Sequence, residues 1–372
     1  MRVKLEELVE EVSERTTINN QHPVLTSSRS GIYLQEDYFK KQVASKDNTG
    51  YRVIRKGEFT YRAMSDTGEF YPNKLECTDI GIVSPAYPVF KIKDYRILPD
   101  YLKYYFKSRS FQKSITAFVQ GSTRASMKFG KMKSISIDLP DEDKQNQILN
   151  TIGILENIID KYELEIDHLN NLIKARFVEM FGNYTMEKTI GEVATICRGA
   201  SPRPISKFIT KSNGENWIKI GDAKEDDIYI TKTKELVTED GANRSRRIKP
   251  GDFILSNSMS FGRPYISKIY GCVHDGWLIV SDYEQSFLPL FFYYAIRSEL
   301  VQAQFRKSVA GAVVKNLNSD LVRSVKIVIP SIESQEKFSS FAKQIDKSKF
   351  AVQKSLEKTQ LLFDSLMQEY FG

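Results

Sequence analysis

Slid against itself by 190 positions, the sequence meets itself again. Leu98-Pro99 falls on Leu288-Pro289, Tyr104 on Tyr294, Ser108 on Ser298, Gly121 on Gly311, Pro140 on Pro330, Gln145 on Gln335 and Phe181-Gly182 on Phe371-Gly372. A repeat of this length is one folding unit used twice, so any architecture that cannot be assembled from two similar halves is excluded. Each copy reads as the same succession of elements: an aromatic amphipathic helix, a polar loop opened by glycine, a short β-branched strand closed by proline, then a long helix. In the first copy these are residues 101–118, 121–130, 135–139 and 142–180; the second copy restarts them at Phe291, Gly311, Val325 and Glu333. Upstream the copies drift, as loops that absorb insertions do. There Gly57-Glu58-Phe59 matches Gly251-Asp252-Phe253, and residues 5–8 match 190–193. The expected layout is an α+β chain with a pseudo-two-fold internal repeat. Two similar α/β domains, residues 1–140 and 183–330, are each followed by a long helix, 141–182 and 331–372.

The long helices carry a seam. From Ile148 the apolar residues advance by alternating steps of four and three: Ile148, Ile152, Leu155, Ile159, Tyr162, Ile166, Leu169, Ile173, Arg176, Met180. All but Arg176 are apolar or aromatic, a heptad pattern long enough to indicate a coiled coil. The second helix keeps the register more weakly through Phe338, Ala342, Ile345, Lys349, Val352, Leu356, Thr359, Phe363, Leu366 and Tyr370. A helix over residues 142–180 is about 58 Å long, more than one domain of this size can cover. The two helices are therefore expected to pair, antiparallel if a pseudo-two-fold axis relates the copies. A centred register sets Tyr162 against Leu356, Ile166 against Val352, Ile173 against Ile345 and the Arg176 stem beside Ala342.

Catalytic patterns are scarce. The chain has 3 His, and neither a phosphate-binding G-x-x-x-x-G-K-[ST] loop nor a G-x-G-x-x-G turn occurs. The Asn/Asp-Pro-Pro-Tyr tetrapeptide suited to holding a flipped adenine is also missing. The acidic run Asp141-Glu142-Asp143 sits where acids complement a helix dipole, and is read as a cap. Cys77, Cys197 and Cys272 are too widely spaced for a zinc cluster or a disulfide framework. No metal site and no catalytic residue are expected. The longest apolar stretches fall short of the roughly 20 residues that cross a bilayer. The segment 1–7 carries charges where a signal peptide needs an apolar core, so a cytoplasmic location is expected.

The net charge of +7 favours a polyanionic partner. Four loop segments combine Arg or Lys with small hydroxyl or amide residues, a mix that meets phosphates and base edges. They supply the candidate DNA-binding residues: Arg62, Ser65 and Thr67; Arg124 and Lys128; Arg198, Ser201 and Arg203; Asn257, Ser258, Ser260 and Arg263. Polar basic loops are often only solvated. These draw notice by position, because 61–68 and 256–263 follow the matched Gly-acid-Phe of the two copies yet differ in sequence. Two readers of different words on one scaffold would look like this.

These residues resemble the DNA-specificity subunit of a type I restriction–modification system. The resemblance rests on Lys56-Gly57-Glu58-Phe59, on the segment 249–256, on Trp217-Ile218-Lys219-Ile220-Gly221-Asp222, and on the paired segments 135–140 and 325–330, each followed by Gln and a long helix. It implies a non-catalytic subunit whose two target-recognition domains each read one half of a split site in double-stranded DNA. It also implies that the helices (Ile152, Leu155, Ile159, Tyr162, Ile166, Leu169 and Ile173 against Ile345, Val352, Leu356, Phe363 and Leu366) act as spacer and as dock for two modification subunits. No cofactor is expected on this chain. S-adenosylmethionine, used to methylate adenine, and ATP with magnesium are expected on modification and restriction partners. The first half lacks a counterpart of Trp217, and its Arg62-Ala63-Met64 differs from Ser256-Asn257-Ser258. A coiled-coil protein scaffold without DNA, and a stand-alone DNA-modifying enzyme, are the alternatives the residues leave open.

Overall fold

A computed structural model describes residues 1–39, 45–116, 125–185, 187–225, 227–257, 262–310 and 316–372, apart from the side chains of 309 and 310. The chain divides into two compact units: residues 1–163 with 354–372, and residues 164–353. Each unit thus contains one globular α/β part and a stretch of both long helices.

In the first unit Val9–Val12, Val89–Ile92, Phe59–Thr60 and Asn73–Lys74 form a four-stranded antiparallel sheet in that order. Arg2–Lys4 pairs antiparallel with Ser136–Asp138, Val3 opposite Ile137. In the second unit two five-stranded sheets carry the globular part. One runs Thr195–Arg198, Trp277–Ser281, Phe253–Ser256, Pro264–Ser267, Tyr229–Ile230; the other Ile209–Thr210, Glu235–Val237, Glu215–Ile218, Gly271–Val273, Arg246–Ile248. Lys188–Thr189 pairs with Lys326–Ile327, repeating the pairing of the N-terminal strand.

The repeat read from the sequence recurs as matched hydrogen bonds. Gln145 accepts from the Leu98 N–H at 2.9 Å and donates to the Arg96 and Pro140 carbonyls at 2.8 and 3.0 Å. Gln335 does the same with Leu288, Ser286 and Pro330 at 2.9, 2.9 and 3.0 Å. Both glutamines are fully buried, so each ties a long helix to the segment before the aromatic helix. The Tyr104 hydroxyl donates to Glu156, and that of Tyr294 to Asp346 at 2.9 Å. Burial and the adjoining carboxylate push both phenols far above their ordinary value. Glu58 accepts from the Arg55 N–H at 2.8 Å and Asp252 from the Lys249 N–H at 2.9 Å, closing equivalent turns. Gly57 and Gly251 sit between donor and acceptor with φ of 87° and 102°, a backbone region that costs glycine nothing.

The aromatic helix departs from expectation. Instead of one helix over 101–118, Pro99–Lys107 and Arg109–Thr116 are separated at Ser108; Pro289–Arg297 and Glu299–Ala310 are separated at the matching Ser298. Ser108 is extended and its Oγ accepts from the Phe111 N–H at 3.1 Å, restarting the helix as an N-cap. The polar stretch after it also gains structure: Ala125–Ser126 is a strand and Phe129–Lys133 a short helix, while 117–124 lie outside the described residues.

The long helices span Glu142–Phe181 and Ile332–Phe371. Asp141 caps the first, its Oδ1 accepting from the Lys144 N–H at 2.8 Å. Every seam residue of both helices is buried or half-buried, whereas Ile154, Leu164, Leu172, Phe350, Leu361 and Leu362 off the seam are exposed. His168 is exposed. The helices pack antiparallel: in the first unit Ile148 and Ile152 share a core with Phe363, Met367 and Phe371, and in the second Ile173 and Phe177 share one with Phe338, Ala342 and Ile345. Lys349 donates to Asn170 Oδ1 at 3.1 Å and the Arg176 guanidinium lies 5.8 Å from the Phe341 ring centroid. Both pairs fall within one residue of the centred register.

Candidate nucleic-acid interface

In the first unit, two candidate segments far apart in sequence become one edge. Met64–Ser65 pairs antiparallel with Ala125–Ser126, and the Met127 N–H donates to the Ala63 carbonyl at 3.0 Å. Beneath them the buried Tyr61 hydroxyl donates to the Met127 carbonyl at 3.1 Å. This arrangement leaves Arg62, Thr67 and Lys128 exposed and Ser65 half-buried. The Ser65 and Thr67 hydroxyls lie 3.2 Å apart, and the Thr67 N–H donates to Ser65 Oγ at 3.3 Å, a serine turn that shapes the loop. Arg124 lies outside the described residues, as do Ser258 and Ser260 of the second unit.

In the second unit, residues from two candidate segments converge on Asp275. Arg198 Nε donates to its backbone carbonyl at 2.9 Å, Ser201 Oγ to Oδ1 at 2.7 Å, and Arg203 lies 3.5 Å from Oδ2. His274 Nε2 is 3.1 Å from Oδ1. Burial alone would raise this carboxyl, but the Ser201 hydroxyl and neighbouring His274 and Arg198 hold it below its ordinary range. Gly199 makes the convergence possible, since a Cβ there would stand 2.3 Å from the His274 carbonyl oxygen. Arg198 and Arg203 keep exposed faces, so the cluster is a polar platform whose cations remain open to an anion.

One expectation is corrected by packing. Asn257 is only 3% exposed. Its amide donates to the Asp275 carbonyl at 3.0 Å, its N–H to Gly276 at 3.1 Å, and its carbonyl accepts from Leu317 at 2.9 Å. It is an internal strut of the 274–276 turn, with no amide face left for a base. Arg263, half-exposed, pairs with Glu225.

Beside these loops each unit has a cleft that sequence reading missed. In the first unit an open cleft of about 800 Å³ runs between Arg29–Ser30, Thr67–Glu69 and the exposed side of Lys107, Arg109, Lys113 and Thr116. In the second, a cleft of about 510 Å³ is lined by Gly262, Arg263, Arg297, Glu299, Gln302 and Arg306, with Lys174 and Lys349 from the long helices. The two occupy equivalent places in the repeat. Gln112 Nε2 donates to the Phe70 carbonyl at 2.6 Å and Gln302 Nε2 to those of Gly262 and Ile296 at 3.0 and 2.9 Å. The only signal in the sequence was the spacing of Lys107, Arg109 and Lys113, which also fits the solvated side of an amphipathic helix.

Among the described residues no cluster of His, Cys, Asp or Glu is arranged to hold a metal, and no helix is long and apolar enough to cross a membrane. Cys77, Cys197 and Cys272 are free thiols.

A family model described as the type I restriction modification DNA specificity domain matches the chain twice, over residues 3–175 and 184–361. A curated relative from Methanocaldococcus jannaschii, named "Putative type I restriction enzyme MjaX specificity subunit", is 23% identical over 280 residues, 69% of this chain and 62% of the relative. The chain thus matches about six-tenths of that relative's length. Two solved structures share the fold. The S subunit of a type I restriction–modification system from M. genitalium gives a TM-score of 0.54 at 14% identity, covering 100% of this chain and 96% of that one. A chain from a study of complex assembly and conformational transition of the type I R-M system gives 0.59 at 15% identity, covering 100% and 97%.

Proposed function

Because the chain belongs to the type I restriction–modification DNA-specificity family, we propose that it is the non-catalytic subunit that selects a bipartite site in double-stranded DNA, one α/β domain reading each half-site. The observation that carries this reading is duplication with divergence. The brackets built by Gln145 and Gln335, and by Tyr104 and Tyr294, are repeated almost atom for atom. The exposed loops they hold differ: the Arg62–Thr67 loop on its strand edge in one unit, the Arg198–Arg203 platform on Asp275 in the other. A common frame with unlike polar loops suits two readers of two words, base edges supplying the specificity and phosphates the position.

In this reading the long helices space the half-sites and dock two modification subunits. Those partners bring S-adenosylmethionine and methylate adenine, and restriction subunits with ATP and magnesium join to cleave. Methylated adenines are mapped in cells expressing the chain with its partners, and again after one heptad is inserted into each long helix. The expected result is a changed gap between half-sites with both words intact. Altered words with an unchanged gap would refute the reading.

A further inference from the structure

We propose that the basic cleft of the first unit, lined by Arg29, Lys107, Arg109 and Lys113, is a seat for DNA phosphates that grips the backbone beside the 61–68 loop without reading its letters. The inference rests on the DNA-binding reading above and adds residues and a ligand chemistry to it.

Charge is the first argument. Among the described residues four cations line the cleft against one acid, Glu69. That acid is already engaged: it lies 3.7 Å from Arg29 and accepts the Tyr71 hydroxyl at 2.8 Å. Among the described residues no carboxylate stands within ion-pair distance of Lys107, Arg109 or Lys113. Cations gathered without counter-charges repel one another, and a polyanion relieves that repulsion.

Geometry is the second. The Arg29 guanidinium lies 5.3 Å from the Tyr71 ring centroid, a cation–π interaction that steadies its head at the rim. Hydroxyls of Ser30, Thr67 and Thr116 line the same walls, suited to phosphate oxygens. Among the described residues the one amide in the lining, Gln112, is committed to backbone: its Oε1 accepts from the Phe70 N–H at 3.2 Å, and its Nε2 donates to the Phe70 and Phe106 carbonyls at 2.6 and 3.4 Å. Among the described residues no amide of the lining is left to make the bidentate contact that reads adenine. Lys107, Arg109 and Lys113 also stand on the repeated helical frame, where Arg297 takes the place of Lys107 in the second unit, and not on the divergent loop itself; Arg29 comes from the turn between the strands Leu25–Ser27 and Ile32–Leu34.

The test is binding of the full chain to a random-sequence duplex of thirty base pairs, titrated with salt. For Lys107→Gln with Lys113→Gln the apparent Kd rises at every salt concentration. The log–log salt slope becomes shallower by about 2, since each phosphate that is no longer neutralised accounts for roughly 0.9. The double variant Lys107→Arg with Lys113→Arg, which keeps the charge, retains the slope and guards against a folding defect. Removing the same charge elsewhere, with Lys56→Gln and Lys91→Gln, leaves the slope in place. Methylated words in cells stay the same. An unchanged slope in the Gln variant, or a loss confined to duplexes bearing the methylated word, overturns the phosphate seat while leaving DNA recognition intact. Binding of an acidic protein but of no duplex by the wild-type chain overturns both.

Discussion

The two clefts occupy the same place in the repeat and carry their charges in opposite order. In the first unit the loop contributes an acid, Glu69, and the facing helix a cation, Arg109; in the second the loop contributes Arg263 and the helix Glu299. Thr116 gives way to Arg306, which pairs with Glu299, and Arg263 pairs with Glu225. The first cleft therefore keeps cations without carboxylate partners among the described residues, while the second neutralises two of its arginines internally. Beneath this difference the hydrogen bonds of Gln145 and Tyr104 recur at Gln335 and Tyr294. The two copies thus differ at rim charges, where exposed ion pairs contribute little to stability, and agree in the hydrogen-bonded brackets.

The sharpest way to break the equivalence is through the cores. In the second unit Phe177, Phe181, Phe291 and Phe338 form an aromatic knot with centroid separations of 5.1–6.1 Å. The same positions of the repeat in the first unit hold Met367, Phe371, Tyr101 and Ile148, and only Tyr101 and Phe371 form a ring pair, at 4.9 Å. Phe177→Ala is expected to cost about 3–5 kcal/mol in denaturant unfolding, from reduced burial plus a cavity. Met367→Ala costs clearly less, because Met367 is half-exposed. Equal effects would show that the knot adds nothing beyond apolar area.

The glutamine brackets should behave alike. Gln145→Leu and Gln335→Leu each strand one part-buried N–H and two carbonyls, and each is expected to lower stability by about 1–3 kcal/mol. A difference larger than about 1 kcal/mol between them would mean that the matched geometry hides unequal surroundings.

The smallest effect concerns Glu58 and Asp252. Burial raises both carboxyls above their ordinary values, Asp252 with one oxygen buried and unpartnered. A raised value means the folded state holds the proton more tightly than the unfolded chain. The stabilising share is then present below the unfolded pKa and is lost as pH rises through the folded one. In thermal melts from about pH 3 to 7, the Tm of Asp252→Asn relative to wild type should climb with pH. Glu58→Gln should follow with a smaller rise, since Glu58 is less buried than Asp252. A flat difference for both would show that neither burial penalty operates.

Much of this was readable beforehand, for a physical reason. A heptad seam is a local pattern, and its ten positions in each helix face inward because a period near 3.5 leaves a long helix no other way to hide them. The duplication was legible because both copies must solve the same packing problem, so residues such as Gln145 and Gln335 recur. The interface was less legible. Asn257 and Arg203 look equally suited to DNA in one dimension, yet the turn at Asp275 closes over the first and leaves the second exposed. The break at Ser108 was hidden inside a continuous apolar pattern, since one serine can serve as a helix residue or as a cap.

By itself, then, the sequence determined that the chain is two copies of one plan and that its long helices pair through a seam, because periodicity and repetition act residue by residue along the chain. Only the tertiary structure decided which polar residues are struts and which remain open. It alone brought Arg29, Lys107, Arg109 and Lys113 into one cleft, because burial and the pairing of charges depend on segments tens of residues apart.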